Sequence, residues 1–150
     1  MLLRDVSEGD AEAIAQLITE FTQLTTSAAQ IQQRLVRSRG IEHPILVEVD
    51  GNVVAFASLR LLHYLGGDAP YAEISELFVS EPYRRQSIGR ALMTELEVRA
   101  RAAGASSLDV LTAADNDTAI ALYRAMGFQK FSIALQKWFV DDRPYRESRE

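Results

Sequence analysis

Val79-Ser80-Glu81-Pro82-Tyr83-Arg84-Arg85-Gln86-Ser87-Ile88-Gly89-Arg90-Ala91-Leu92 is the stretch whose reading decides the fold. Before it, Tyr71 to Val79 reads as a strand; after it, Ile88, Leu92, Leu96 and Ala100 recur every four residues. That spacing predicts a helix from about Ser87 to Ala103, closed by Gly104, with its apolar face on a sheet. A strand that turns into a helix leaves several backbone N–H groups unpaired, and the helix dipole adds partial positive charge at the same point. Arg84, Arg85 and Arg90 could screen an anion there, and Gly89 lets the backbone approach a ligand closely. An ordinary helix start with surface arginines explains the spacing equally well. A Walker-type loop is excluded because no Gly-Lys-Ser/Thr follows, and a dinucleotide fingerprint is absent.

Upstream, Ser7-Glu8-Gly9-Asp10 resembles a helix cap with an acidic first turn, and Ile14, Leu17, Ile18 and Phe21 follow as one buried stripe. A second helix from about Ser27 carries Ile31 and Leu35 inward and stops near Gly40. Pro44 to Val49, a turn at Asp50-Gly51-Asn52 and the apolar run Val53 to Leu62 form a hairpin. After a turn over Leu65 to Pro70, Tyr71 to Val79 completes a meander of three antiparallel strands.

Downstream, Ser107 to Leu111 reads as a short strand and Asn116 to Met126 as a helix with Ala119, Leu122, Tyr123 and Met126 on one face. Gly127 punctuates it, residues 128–140 are expected to return as one or two strands, and Asp141 to Glu150 reads as a polar, frayed tail. The expected class is α/β, a mixed and mostly antiparallel sheet flanked by about four helices in a single domain over residues 1–150.

Asn116-x-x-Ala119-x-x-x-Tyr123-x-x-x-Gly127-Phe128 is the second informative pattern. Taken alone, Asn116 is an adequate helix cap and Tyr123 is more readily explained as core. With the Arg84 to Gly89 loop, however, the chain resembles the GCN5-related N-acetyltransferase (GNAT) superfamily, in matching order from the first strand to about Phe131. The family loop runs Arg/Gln-x-x-Gly-x-Gly/Ala and holds the CoA pyrophosphate on its backbone amides. Arg84-Arg85-Gln86-Ser87-Ile88-Gly89 matches in frame with one departure, Ser87 in place of the first glycine. Its hydroxyl can donate to phosphate, but if the position needs positive φ it is strained.

The resemblance implies that acetyl-CoA is the cosubstrate, held by Leu77, Phe78, Val79, Arg84, Arg85, Gln86, Ser87, Ile88, Gly89, Arg90 and Ala119, with Asn116 along the pantetheine and Tyr123 near the thioester sulfur. It further implies direct attack by an amine in a ternary complex, a backbone N–H around Leu77 to Val79 for the developing oxyanion, and Tyr123 as proton donor to the thiolate. An alkyl ammonium has a reference pKa near 10.4, so a carboxylate that removes its proton is expected. Glu73 and Glu76 are the candidates. Glu73 is slightly favoured as base, with Glu76 as substrate contact or substitute base, and either could equally be a solvated strand charge. Three apart on a strand, they point to opposite faces unless a bulge intervenes.

Composition restricts the alternatives. The 150 residues contain no cysteine and two histidines, His43 and His63, which argues against thiolate or histidine metal sites and cysteine nucleophiles, so no metal is expected. His63 reads as an exposed strand residue, and Trp138 and Phe139 as core or interface. A net charge of −5 argues against nucleic-acid binding. The longest apolar stretch, around Val53 to Leu59, is too short to span a bilayer, and the N-terminus lacks the order of a signal peptide, so a cytoplasmic protein without a membrane partner is expected. Two alternatives stay open: a non-catalytic acyl-CoA-binding module, and, for the enzyme, an acceptor that is a protein amine or a small amine such as a polyamine or aminoglycoside. Oligomeric state is open too, although the family often forms a homodimer through its C-terminal strands.

Overall fold

The computed structural model describes residues 1–137 and 139. Its sheet has five strands in the order β1 (Leu2–Asp5), β2 (Glu42–Val49), β3 (Asn52–Leu62), β4 (Tyr71–Val79) and β5 (Leu108–Val110). The first four pair antiparallel, and β5 joins β4 in parallel. The meander therefore has one strand more than expected, because residues 2–5 pair with Ile45 to Glu48 along the outer edge of β2.

Helices cover both faces. On one side α1 (Ala11–Thr22) and α2 (Ala28–Arg37) bury Ile14, Leu17, Ile18 and Ile31 against Leu46, Phe56 and Phe78. On the other, α3 (Ile88–Ala102) buries Ile88, Leu92, Leu96 and Ala100 against Ile45, Val47, Ala57 and Ile74. The four-residue recurrence seen in the sequence is thus the sheet-facing stripe of α3. α4 (Asp117–Ala125) lays Leu122, Tyr123 and Met126 on the margin of this second cluster.

One carboxylate ties the entry of α1 to the sheet. Asp10, buried, accepts from Ser7 N–H and Oγ at 2.7 Å each and from both Arg4 guanidinium nitrogens at 2.8 and 2.7 Å. Arg4 also grips Glu48 on the neighbouring strand. The Arg4 guanidinium and, against burial, the Ser7 hydrogen bonds hold the Asp10 carboxyl well below the usual carboxylate range.

Among the described residues of 128–140, the expected strands do not form. Residues 128–137 have no strand, and Trp138, residue 140 and the tail expected from Asp141 to Glu150 lie outside the described residues. β5, only three residues long, offers a short ladder, and Phe131, Ile133, Leu135 and Phe139 are exposed rather than core.

A depressed carboxylate adds stability that is complete above its unfolded pKa near 4 and is lost as pH falls through the folded value. Asp10→Asn is therefore expected to cost about 1–3 kcal/mol at neutral pH. In urea titrations, the gap from the native protein should narrow below about pH 4.

Candidate active site

The site begins at an irregularity in β4. Leu59 pairs with Ile74 and Ser58 with Glu76, so Ser75 is the extra residue of a bulge. Ala72 and Ile74 point into the α3 core, and the bulge brings Glu73, Ser75 and Glu76 together on the opposite side. Strict alternation would have separated the two glutamates.

Beyond the bulge, β4 has a free edge. Ser80 N–H donates to Val54 O at 2.9 Å, so alternation turns the backbone groups of Leu77 and Val79 away from β3. Pairing with β5 ends at Ile74 and Val110, and past that point nothing from β5 meets β4. β5 itself ends at Val110, and Leu77 and Val79 present their N–H groups to the edge of β4 left unpaired beyond it. Val79 O accepts from Arg84 Nε at 2.9 Å, with the Arg84 guanidinium carbon 5.5 Å from the centre of the Phe78 ring.

The loop between β4 and α3 is held from beneath by α1. Glu20 accepts from Ser80 Oγ at 2.8 Å and Glu81 N–H at 2.9 Å, and a 3-10 turn over Glu81–Tyr83 follows. Two residues then adopt the left-handed conformation, Arg85 at φ 62° and Ser87 at φ 63°. Ser87 thus sits in the backbone region that favours the glycine it replaces. The first hydrogen bond of α3 runs from Ala91 N–H to Ser87 O at 3.0 Å, leaving the amides of Ile88, Gly89 and Arg90 without an intrahelical acceptor.

Arg85 is exposed and forms no ion pair among the described residues. Gln86 Nε2 donates to Pro82 O at 3.1 Å, and Arg90 Nη1 lies 3.3 Å from Met126 Sδ. Gly89 does more than admit a ligand: a Cβ there would meet Leu122 Cδ2 at 3.3 Å and Val79 Cγ2 at 3.9 Å. Its small size lets the first turn of α3 approach α4.

On α4, Asn116 Oδ1 accepts from Ala119 N–H at 3.1 Å and caps the helix. Tyr123, half-buried, packs beside Phe128 with ring centres 5.9 Å apart and borders the same core cluster as Leu77, Val79 and Val110. Burial pushes the Tyr123 phenol up from its ordinary value.

The face behind the bulge carries groups that the motifs did not indicate. Glu42 accepts from Ser58 Oγ at 2.5 Å and Ser75 Oγ at 2.6 Å, and pairs with Arg60, which also reaches Glu73 at 3.3 Å. Burial alone raises Glu42, but the two hydroxyls and Arg60 outweigh it and hold the carboxyl below its ordinary value. Glu76 has no such donors. Burial and then the charge of Glu42 push it up, partly offset by Arg60 and Arg34. Ser58 and Arg60, polar within the apolar run Val53 to Leu62, were the sequence signals for this network; the links of Glu42 reach 16 and 33 residues along the chain. His63 is exposed, beyond the end of β3.

A model of the acetyltransferase (GNAT) family matches residues 11–128. The chain belongs to this family. A relative, the N-alpha-acetyltransferase RimI of Mycobacterium tuberculosis, is 36% identical over 92 residues, 61% of this chain and 54% of that protein. The chain thus matches about half the length of that GNAT relative. An aminoglycoside N(6')-acetyltransferase type 1 of Stenotrophomonas maltophilia is 27% identical over 132 residues, covering 85% of this chain and 86% of the relative. In fold, the ribosomal-protein-alanine N-acetyltransferase of Brucella melitensis superposes with a TM-score of 0.79 at 19% identity, over 92% of this chain and 100% of that one. The mixed five-stranded sheet with helices on both faces is the GNAT arrangement.

Left-handed backbone costs a non-glycine residue about 1 kcal/mol. Ser87→Gly should therefore raise stability by about 0.5–1 kcal/mol in urea denaturation; an unchanged or lower midpoint would mean that the serine hydroxyl compensates.

Proposed function

We propose that this chain is an acetyl-CoA-dependent N-acetyltransferase, one catalytic domain over residues 1–150, acting in the cytoplasm on an amine without nucleic-acid or membrane partners. The observation that carries this reading is the edge of β4 left unpaired beyond β5. Past Ile74 the amides of Leu77 and Val79 face away from β3, Tyr123 packs on the same core cluster as these two residues, and the chain then runs into the unpaired amides of α3.

The residues fit the cosubstrate. A pantetheine arm carries amide groups along its length, and the free edge of β4 offers N–H groups at strand spacing. A pyrophosphate suits the amides of Ile88, Gly89 and Arg90 at the positive end of α3, with Arg85 and Arg90 beside them. When bound, acetyl-CoA supplies an activated carbonyl carbon and a thiolate leaving group.

The roles follow from the environments. Glu76 is the favoured base: its raised basicity suits removal of a proton from an ammonium, whereas Glu73 is tied to Arg60. The freed nitrogen lone pair forms the C–N bond as the C–S bond breaks, and Leu77 N–H, the first free donor past the bulge, faces the charge that grows on the carbonyl oxygen. The nitrogen gives up its second proton, and the sulfur ends protonated. With its pKa raised above the ordinary 10, the Tyr123 phenol keeps its proton at neutral pH. A thiol titrates near 8.5, so full transfer from the phenol is uphill, and Tyr123 acts first as a hydrogen-bond donor to the sulfur.

Calorimetric titration with acetyl-CoA, followed by a thiol-release screen over amines, tests the reading. Micromolar binding with amine-dependent CoA release is expected, and binding without turnover across a broad amine panel would favour an acyl-CoA-binding module. Glu76→Gln should lower kcat about 10²–10⁴-fold with acetyl-CoA affinity retained. Because the base acts deprotonated, the wild-type rate should rise with pH through a limb above the ordinary carboxylate value. Tyr123→Phe should lower kcat about tenfold to a hundredfold with unchanged acetyl-CoA affinity; full turnover would remove Tyr123 from the mechanism.

A further inference from the structure

Between α1, α2 and the sheet lies a cavity of about 110 Å³, lined by Glu76 and Arg34 together with Ile14, Ile31, Leu35 and Phe56. Its size bounds its occupant. Drug-sized ligands take pockets of roughly 300–1,000 Å³, and a cavity of about 150 Å³ holds a benzene-sized body. An oligosaccharide or a folded peptide does not fit inside, but a compact aliphatic group does.

Two of the lining groups carry opposite charges, Glu76 and Arg34. Among the described residues, Glu76 has no hydrogen bond or ion pair, and Arg34 pairs with no carboxylate. The charge of Arg34 nevertheless reaches Glu76. The remaining charges are already engaged: Arg60 is taken by Glu42 and Glu73, and Glu42 by Arg60, Ser58 and Ser75. One anion and one cation are therefore left for a ligand. A polyamine finds one open carboxylate where it needs two, and a dicarboxylic amino acid finds one open guanidinium where it needs two.

We propose that the acceptor is a small α-amino acid with an aliphatic side chain, its amine at Glu76, its carboxylate at Arg34 and its side chain among Ile14, Ile31, Leu35 and Phe56. This rests on the acetyltransferase reading above. It accounts for the combination of an apolar lining with two unpaired, opposite charges, and it places the reacting nitrogen at the carboxylate next to Leu77.

The test uses the full chain with acetyl-CoA and two probes, L-leucine and 3-methylbutylamine, its counterpart without the carboxylate. The readout is the ratio of their kcat/KM values in the wild type against Arg34→Gln, in which the difference in free-base fraction between the two amines cancels. A charge-assisted contact to the carboxylate predicts that the ratio falls about tenfold or more in Arg34→Gln, with the loss in KM for leucine. A ratio unchanged by Arg34→Gln, or turnover confined to spermidine, aminoglycosides or peptide N-termini, overturns the proposal while leaving the acetyltransferase reading intact. In parallel, saturation-transfer NMR follows leucine binding without cosubstrate. Leucine methyl signals that saturate in the wild type and weaken in Arg34→Gln support the amino-acid site independently of turnover; acetyl-CoA that fails to bind in the same sample would overturn the enzyme reading, and with it leucine's role as acceptor. No leucine binding in either measurement overturns it.

Discussion

The site depends on a strand edge that the fold declines to pair. A sheet ordinarily satisfies its backbone groups on both sides, and buried groups left unpaired are costly. In β4 that satisfaction ends at Ile74, where β5 ends, so the amides of Leu77 and Val79 are left for a partner that the sheet does not supply. The same loss of pairing recurs a few residues later, where α3 starts with its first amides open. The edge and the helix start are continuous along the chain, joined by a loop that Glu20 fixes from α1 and that Gly89 allows to close against α4. An extended ligand with a phosphate at one end matches this sequence of donors.

The bulge at Ser75 sets the chemistry on the other side. It breaks the alternation that would separate Glu73 from Glu76, and it gives Ser75 a place on Glu42. Two carboxylates on one face are thereby driven apart. Glu42, held by two hydroxyls and Arg60, stays ionised to low pH; Glu76, buried beside that charge without donors of its own, becomes the stronger base. The division of roles follows from hydrogen bonds rather than from residue type.

The sequence was most legible where the signal is local. The period of Ile88, Leu92, Leu96 and Ala100 placed α3 on the sheet, and the frame of Arg84 to Gly89 placed the loop. The left-handed Ser87 was foreseeable from the glycine usual at its position. The bulge was foreseeable only as a condition, because it arises from a register between β3 and β4 that no short window encodes. Glu42 and Arg34 were missed for a related reason: each meets its site through tertiary folding, from a strand start and an exposed helix position that look ordinary in isolation. Beyond Phe128 one or two returning strands were expected, but a strand needs a neighbouring edge to pair with, and the three-residue β5 offers a short one.

The central claim is that the unpaired amides of β4 and α3 are where acetyl-CoA binds. Residue-resolved amide hydrogen exchange, with and without a saturating concentration of acetyl-CoA, tests it directly. Slowed exchange at Leu77, Val79, Ile88, Gly89 and Arg90, with amides on β1 and β2 at the far side of the sheet unaffected, is the predicted result. Exchange at these five positions that is unchanged while acetyl-CoA is demonstrably bound would contradict the account.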